Sequence, residues 1–146
     1  MVSEGEPAPD FELTSDAGKR VRLSDLRGRP VVLYFYPKDD TPGCTKQACG
    51  LRDVYGDFRE RGVEIFGISA DDEASHAGFR EKYQLPFTLL ADPDKEAGAA
   101  YGVVRDDSPY FERSTFVVDE EGKIARIMRK VDPTEHADLV LSAIPG

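Results

Sequence analysis

Cysteine is scarce in this chain: two residues in 146, Cys44 and Cys49. Two thiols cannot staple a disulfide scaffold, and a reducing compartment keeps an ordinary pair reduced, so any disulfide here is expected to be transient. Long apolar runs are also missing. None approaches the roughly 20 residues a membrane helix needs, and the acidic start Met1-Val2-Ser3-Glu4-Gly5-Glu6 has neither half of a secretory signal. A cytoplasmic protein with no membrane partner is the expectation. Positive charge is the third shortage: 19 Lys and Arg against 28 Asp and Glu give a net charge of -9, which disfavours nucleic acid as a partner. No repeat, low-complexity tract or Gly/Ser linker divides the chain. With 40% hydrophobic residues, 1–146 reads as one domain with a core of its own.

What is present begins with Val31-Val32-Leu33-Tyr34-Phe35-Tyr36, β-branched and aromatic without alternation, the pattern of a strand buried on both faces. The residues before it read as an irregular arm with one short strand over 21–23. Pro37 ends the buried strand. From Thr41 or Pro42 onward, Ala48, Leu51, Val54, Tyr55 and Phe58 recur at three-and-four spacing and predict one helix closed by Gly62. Further strands are expected over 63–69, 87–90, 114–119 and 123–130, the last two joined by the turn Glu120-Glu121-Gly122. Helices are expected from the Asp71-Asp72 cap to Tyr83, over 94–101 and over 133–144. This order implies an α/β fold: a central mixed β-sheet with helices on both faces, in the thioredoxin-like layout of a βαβ unit followed by an antiparallel hairpin. In open sheets of this kind reactive groups gather past the carboxyl ends of the strands, and Cys44 stands there.

That location dictates chemistry. If Asp40 or Thr41 caps the helix, Cys44 lies in its first turn, where unpaired backbone N–H groups and the positive end of the macrodipole favour an anion. Making an ordinary thiol mostly thiolate at neutral pH takes a fall of about two pKa units, or roughly 2.7 kcal/mol, more than a helix terminus alone supplies. A cation is required. Lys38 and Lys46 are nearest in sequence, but an arginine's planar fork suits a sulfur and an oxygen together, and Arg113, just before the strand 114–119, is the preferred candidate.

Cys49 follows Cys44 by five positions. On an intact helix such residues have Cα atoms about 8 to 9 Å apart and point about 140° away from each other. A disulfide tolerates at most about 7 Å. The pair can therefore bond only if the first turns unwind, which Pro42-Gly43 in front and Gly50 behind make relatively easy. An exposed thiolate oxidised to sulfenic acid, then condensed with a second thiol, fits this arrangement. A disulfide that distorts its helix should be oxidising and readily reduced by an external dithiol.

Plainer readings stand beside these. Cys49 alone reads equally well as a small apolar core residue. Thr41 alone reads as only a helix cap, a role compatible with one in the site. His76 and His136 read as solvated helix residues, Asp39-Asp40 as a solvated face or caps, and Tyr34-Phe35-Tyr36 as core whose end lines a pocket. The cysteines and histidines fit no zinc spacing, and no Cys-x-x-Cys exists for a general disulfide oxidoreductase.

The stretch Pro37-Lys38-Asp39-Asp40-Thr41-Pro42-Gly43-Cys44 resembles the peroxiredoxin active-site signature. Its continuation Thr45-Lys46-Gln47-Ala48-Cys49-Gly50-Leu51-Arg52-Asp53 is similar to the bacterioferritin comigratory protein, or peroxiredoxin Q, branch. Gly5 to Leu13 and Arg113 to Asp119 resemble the family's amino-terminal segment and its active-site arginine with the strand that follows. The resemblance implies reduction of hydrogen peroxide and organic hydroperoxides with thioredoxin or a similar dithiol as reductant, no metal and no other cofactor, and a monomer. It makes Cys44 the peroxidatic nucleophile and Cys49 the resolving thiol. Thr41, Arg113 and the Gly43 and Cys44 N–H groups would hold the peroxide and stabilise the leaving oxygen, with Pro37 shaping the pocket.

Overall fold

A computed structural model describes residues 2–144. Its centre is β3 (Val31–Phe35), all five residues of which are buried. β3 runs parallel to β4 (Glu64–Ser69) and antiparallel to β6 (Ser114–Val118), so both of its edges are bonded. Neighbouring side chains on a strand point to opposite faces. With helices or loops over both faces, each residue of β3 must be apolar or aromatic, and this explains the unbroken run in the sequence.

Seven strands form one sheet in the order β2-β1-β5-β4-β3-β6-β7. β5 (Thr88–Ala91) pairs parallel with β4, and β7 (Ile124–Arg129) closes the antiparallel hairpin with β6. Both expectations for the sheet, mixed strands and helices on two faces, hold. The helices are shared unequally. One face packs α1 (Pro42–Asp53), α2 (Tyr55–Glu60), α3 (Glu73–Tyr83) and α5 (His136–Ala143) over Val32, Tyr34 and Leu89. The other packs the short α4 (Glu96–Ala100), the 3-10 turn Leu23–Leu26 and the amino-terminal arm over Leu33, Phe35 and Phe116. Among the described residues no helix is long and apolar enough to cross a membrane.

Two expectations are corrected. The arm before β3 is not irregular: β1 (Glu12–Ser15) and β2 (Arg20–Arg22) form a hairpin, and β1 also pairs with β5. Both strands are short, and β2 lies at the sheet edge half exposed, so their apolar pattern is faint. The expected single helix ending at Gly62 is instead two. α1 stops at Asp53, Val54 leaves helical geometry with φ -112° and ψ 13°, and α2 begins at Tyr55. Val54 and Gly56, both weak helix formers, stand at that break. Asp72 caps α3 as expected by accepting the Ser75 N–H at 2.8 Å, whereas Asp71 turns inward.

The packing under α1 leaves no slack at Gly67, which pairs with Tyr34 across β3 and β4. A Cβ there would come within 2.7 Å of the Tyr34 ring carbon Cζ and hydroxyl and 2.8 Å of Leu89 Cδ2. Gly67→Ala is expected to destabilise the protein by about 1 to 3 kcal/mol through overpacking, read as a lower urea midpoint with an unchanged slope.

Candidate active site

After β3, the Tyr36 N–H still bonds to the Ile68 carbonyl at 3.0 Å, and then the chain turns away at Pro37. Asp40 adopts a left-handed conformation with φ 58°, and Thr41 returns to extended backbone as the residue before α1. Pro42 takes the first helical position, where its missing N–H costs nothing. Thr41 does not cap the helix with its side chain; its hydroxyl donates to the Lys38 carbonyl at 2.9 Å. The N–H groups of Gly43 and Cys44, in the second and third helical positions, therefore have no capping side chain. They form the donor pair that the helix terminus presents to an anion.

Arg113 reaches this turn from β6. The β3–β6 register pairs Phe35 with Ser114, so Arg113 lies one residue beyond the ladder, beside the loop that leaves β3. Its Nη1 donates to Gln47 Oε1 at 2.7 Å. Its Nη2 would stand 2.9 Å from a Cβ at Gly43, so only glycine lets the guanidinium lie this close to the first turn. Gln47 is wholly buried, and its Nε2 has no partner. It was not among the candidates; its place three residues after Cys44, on the same helical face, was the available signal. Among the described residues the Lys38 and Lys46 side chains make no hydrogen bond to the turn, and Lys38 meets it only through its backbone carbonyl.

The thiols are both free, Cys44 buried and Cys49 half-buried, on one unbroken helix. Cys44 is only 1% exposed, which corrects the expectation of an exposed thiolate. Third in the helix, its side chain leans back under the loop and joins the cluster beneath α1 with Tyr34, Tyr36 and Ala48. An open groove of about 750 Å³, lined by Pro37, Phe111, Glu112, Arg113 and Val131 among others, ends at two of the expected pocket residues. Arg113 lies on the groove wall, whereas Cys44 is not among the residues that line it.

The histidines are not solvated. His136 is fully buried, with Nε2 2.6 Å from Thr115 Oγ1 and its ring 5.7 Å from that of Tyr34. His76 is equally buried, its Nδ1 2.7 Å from Asp39 Oδ2. Asp39 also leaves solvent, whereas Asp40 stays exposed and pairs with Lys82. Both histidines lie on helix faces whose apolar stripe is weak, so their direction could not be read from spacing. Burial pushes the Tyr34 hydroxyl well above the ordinary phenol range, with Cys44 and Asp39 adding to the rise.

Burial, helped by the positive charge of Arg113, lowers the His136 pKa from 6.5 to about 3. The unfolded chain thus binds a proton that the folded chain refuses, and stability present above about pH 6.5 is lost as pH falls. In urea unfolding at stepped pH, His136→Gln is expected to flatten the loss between pH 6.5 and 4 by up to about 1.4 kcal/mol per pH unit.

Comparison with known proteins places this geometry. Residues 5–127 match the AhpC/TSA family. The chain is 45% identical to a protein named putative peroxiredoxin bcp of Coxiella burnetii over 98% of this chain and 99% of that one. It is 42% identical to peroxiredoxin Bcp of Bacillus subtilis over 98% and 95%. Chloroplastic peroxiredoxin Q of Oryza sativa subsp. japonica is 47% identical over 92% of this chain, which spans 63% of that longer protein. Among solved structures, peroxidoxin BcpB of Mycobacterium tuberculosis superposes with a TM-score of 0.91 at 36% identity, covering 98% of this chain and 96% of that one. With a thioredoxin-like sheet, a cysteine at the mouth of α1 and relatives of this closeness over nearly its whole length, the chain belongs to the AhpC/TSA family as a thiol peroxidase of the Bcp and peroxiredoxin Q branch.

Proposed function

We propose that Cys44 is the peroxidatic cysteine and Cys49 the resolving one in an atypical two-cysteine cycle recycled by thioredoxin or a similar dithiol. The observation that carries this reading is the seat of Arg113 on the first turn of α1, beside the uncapped N–H groups of Gly43 and Cys44. A fixed guanidinium and a helix amino terminus both favour negative charge, on the thiolate before reaction and on the departing oxygen during it. Cys44 sulfur attacks one peroxide oxygen as the O–O bond breaks. The other oxygen leaves as water or an alcohol after taking a proton, and Cys44 becomes a sulfenic acid. Thr41 and Pro37 would complete the peroxide pocket.

Condensation of that sulfenic acid with the Cys49 thiol forms the disulfide and releases water. It requires α1 to open, and the break at Val54 supports opening of α1 without α2. Twelve residues make a helix that is marginal without packing. A Xanthomonas campestris relative at 32% identity and TM-score 0.90, covering 97% of this chain and 96% of that one, is described as having alkyl peroxide reduction activity. The groove at Pro37 and Arg113 gives an alkyl group room here, so organic hydroperoxides join hydrogen peroxide as substrates. The cycle as read needs no metal or other cofactor, and the acting unit is a cytoplasmic monomer.

Cys44→Ser is expected to abolish peroxide consumption, while Cys49→Ser consumes about one equivalent per chain and then stops despite thioredoxin. Sustained turnover by the Cys44 variant in a coupled NADPH assay would overturn the assignment. Arg113→Lys, which keeps the charge but loses the planar fork, should lower the second-order rate of Cys44 oxidation by about 10²-fold in stopped flow.

A further inference from the structure

His136 is wholly buried, and the peroxidase chemistry leaves it unused. It is the first residue of α5, and one of its ring nitrogens is engaged by the sheet: Nε2 lies 2.6 Å from Thr115 Oγ1. Nδ1, on the other side of the ring, has no partner among the described residues. Gln47, also wholly buried, has a complementary want. Its Oε1 accepts from Arg113 Nη1 at 2.7 Å, and since a guanidinium can only donate, the unmet amide atom Nε2 is a donor. A buried polar group is ordinarily met by the protein or by a held water, because leaving it unmet is unfavourable.

Helix packing brings the two unmet atoms to one seam. On α1, Gly43, Gln47 and Gly50 follow one another at four and three positions and so share a stripe. α5 and the turn before it cover both ends of that stripe. A Cβ at Gly43 would stand 3.7 Å from Pro133 Cγ, and one at Gly50 would stand 3.6 Å from Ala137 Cβ. Gln47 is the middle residue of the stripe, and His136 stands next to Ala137 on the Pro133 side, so the two face the same seam. The contact at Gly50 is ordinary van der Waals distance, and the glycine leaves about an atom's width of the seam unfilled. The sheet agrees with this placing. Arg113, just before β6, and Thr115 within it are two apart and project to one face; the first holds Gln47 and the second holds His136. Burial, and then the charge of Arg113, keep the imidazole neutral, and a neutral ring has one nitrogen free to accept.

We propose that His136 is a positioning residue that acts on Arg113 through Gln47, with one buried water joining Gln47 Nε2 to His136 Nδ1. The proposal rests on the functional reading above, since His136 reaches the reaction only by way of Arg113. Gln47 Nε2 donates to the water, the water donates to Nδ1, and Nε2–H of the ring donates to Thr115 Oγ1. An amide held at its nitrogen keeps its oxygen on Arg113, and the guanidinium in turn keeps its remaining donors at the first turn of α1. The last helix thereby serves the site without touching substrate.

Two measurements on the unmutated reduced protein test the link without any variant. A high-resolution crystal structure should place an ordered water within about 3.2 Å of both atoms, and a separation too wide for one water to span overturns the link. In nitrogen NMR at neutral pH the His136 ring should carry its hydrogen on Nε2. A hydrogen on Nδ1 overturns the link, because that nitrogen could not then accept. Variants test the consequence in stopped flow with hydrogen peroxide. His136→Gln places an amide where Nε2 was and keeps the Thr115 contact, whereas His136→Asn places one where Nδ1 was and keeps an acceptor toward Gln47. The Gln variant should slow Cys44 oxidation about tenfold and move the titration of that thiol upward, while the Asn variant should retain most of the rate. A role confined to packing would not separate the two. His136→Gln combined with Gln47→Leu should be no slower than Gln47→Leu alone. Unchanged oxidation in both His136 variants, equal loss in both, or additive losses in the double variant overturn the relay. Failure of the unmutated protein to oxidise at Cys44 would overturn the functional reading and with it the service to Arg113, while the crystal and the ring hydrogen judge the Gln47–His136 link separately.

Discussion

Arg113 lying on the first turn of α1 is the contact on which the proposed site depends. It exists because β6 pairs with β3 in a register that leaves Arg113 just past the ladder, beside the loop running on to Cys44. Gly43 admits the guanidinium by lacking a side chain, and Gln47 fixes it from one turn further along. A guanidinium held at one nitrogen by a buried amide oxygen keeps its other donors for an anion, a service a flexible ammonium performs less well. The same positive charge helps keep His136 neutral behind the site.

The two faces of the sheet divide the work of the molecule. Leu33 and Phe35 point into a cluster with Phe66, Ile68, Phe116 and Tyr101, a mostly apolar core in which the Tyr101 hydroxyl donates to the Pro9 carbonyl at 2.7 Å. Val32, Tyr34 and Tyr36 point the other way, under α1, where His76, His136 and Thr115 are also buried. Burying so many polar groups is unfavourable unless each is met. Asp39 meets Tyr36 and His76, and Thr115 meets His136, while the Tyr34 hydroxyl and Gln47 Nε2 have no partner. Among the described residues His136 Nδ1 is also without a partner on this side, and Arg129 Nη2 is without one at the end of β7.

That helix is shorter than its apolar pattern suggested, and the difference matters. A helix continuous from Pro42 to Gly62 would have tied any opening near Cys49 to the buried Phe58. With α1 ending at Asp53, Phe58 belongs to a separate helix, α2, and α1 is anchored on its own through Gln47, Ala48 and Leu51.

Local patterns carried most of the elements. β3, β4, α3 and the β6–β7 hairpin were legible because a two-face-buried strand, an aspartate cap and a tight turn leave their marks within a few neighbouring residues. The placing of Cys44 at a helix start was legible for the same reason, from Pro37 through Pro42-Gly43. The β1–β5 pairing, the burial of Asp39 and both histidines, and the break at Val54 were not. By itself, then, the sequence determined which segments are strands and helices and that a thiol would stand at the mouth of one of them, since backbone propensity and side-chain periodicity act over a turn or two. Only the tertiary structure decided which cation meets that turn and which polar groups leave water. Arg113 and Gln47 lie 66 positions apart and Asp39 and His76 lie 37, and it is strand register and helix packing that bring such pairs within bonding distance.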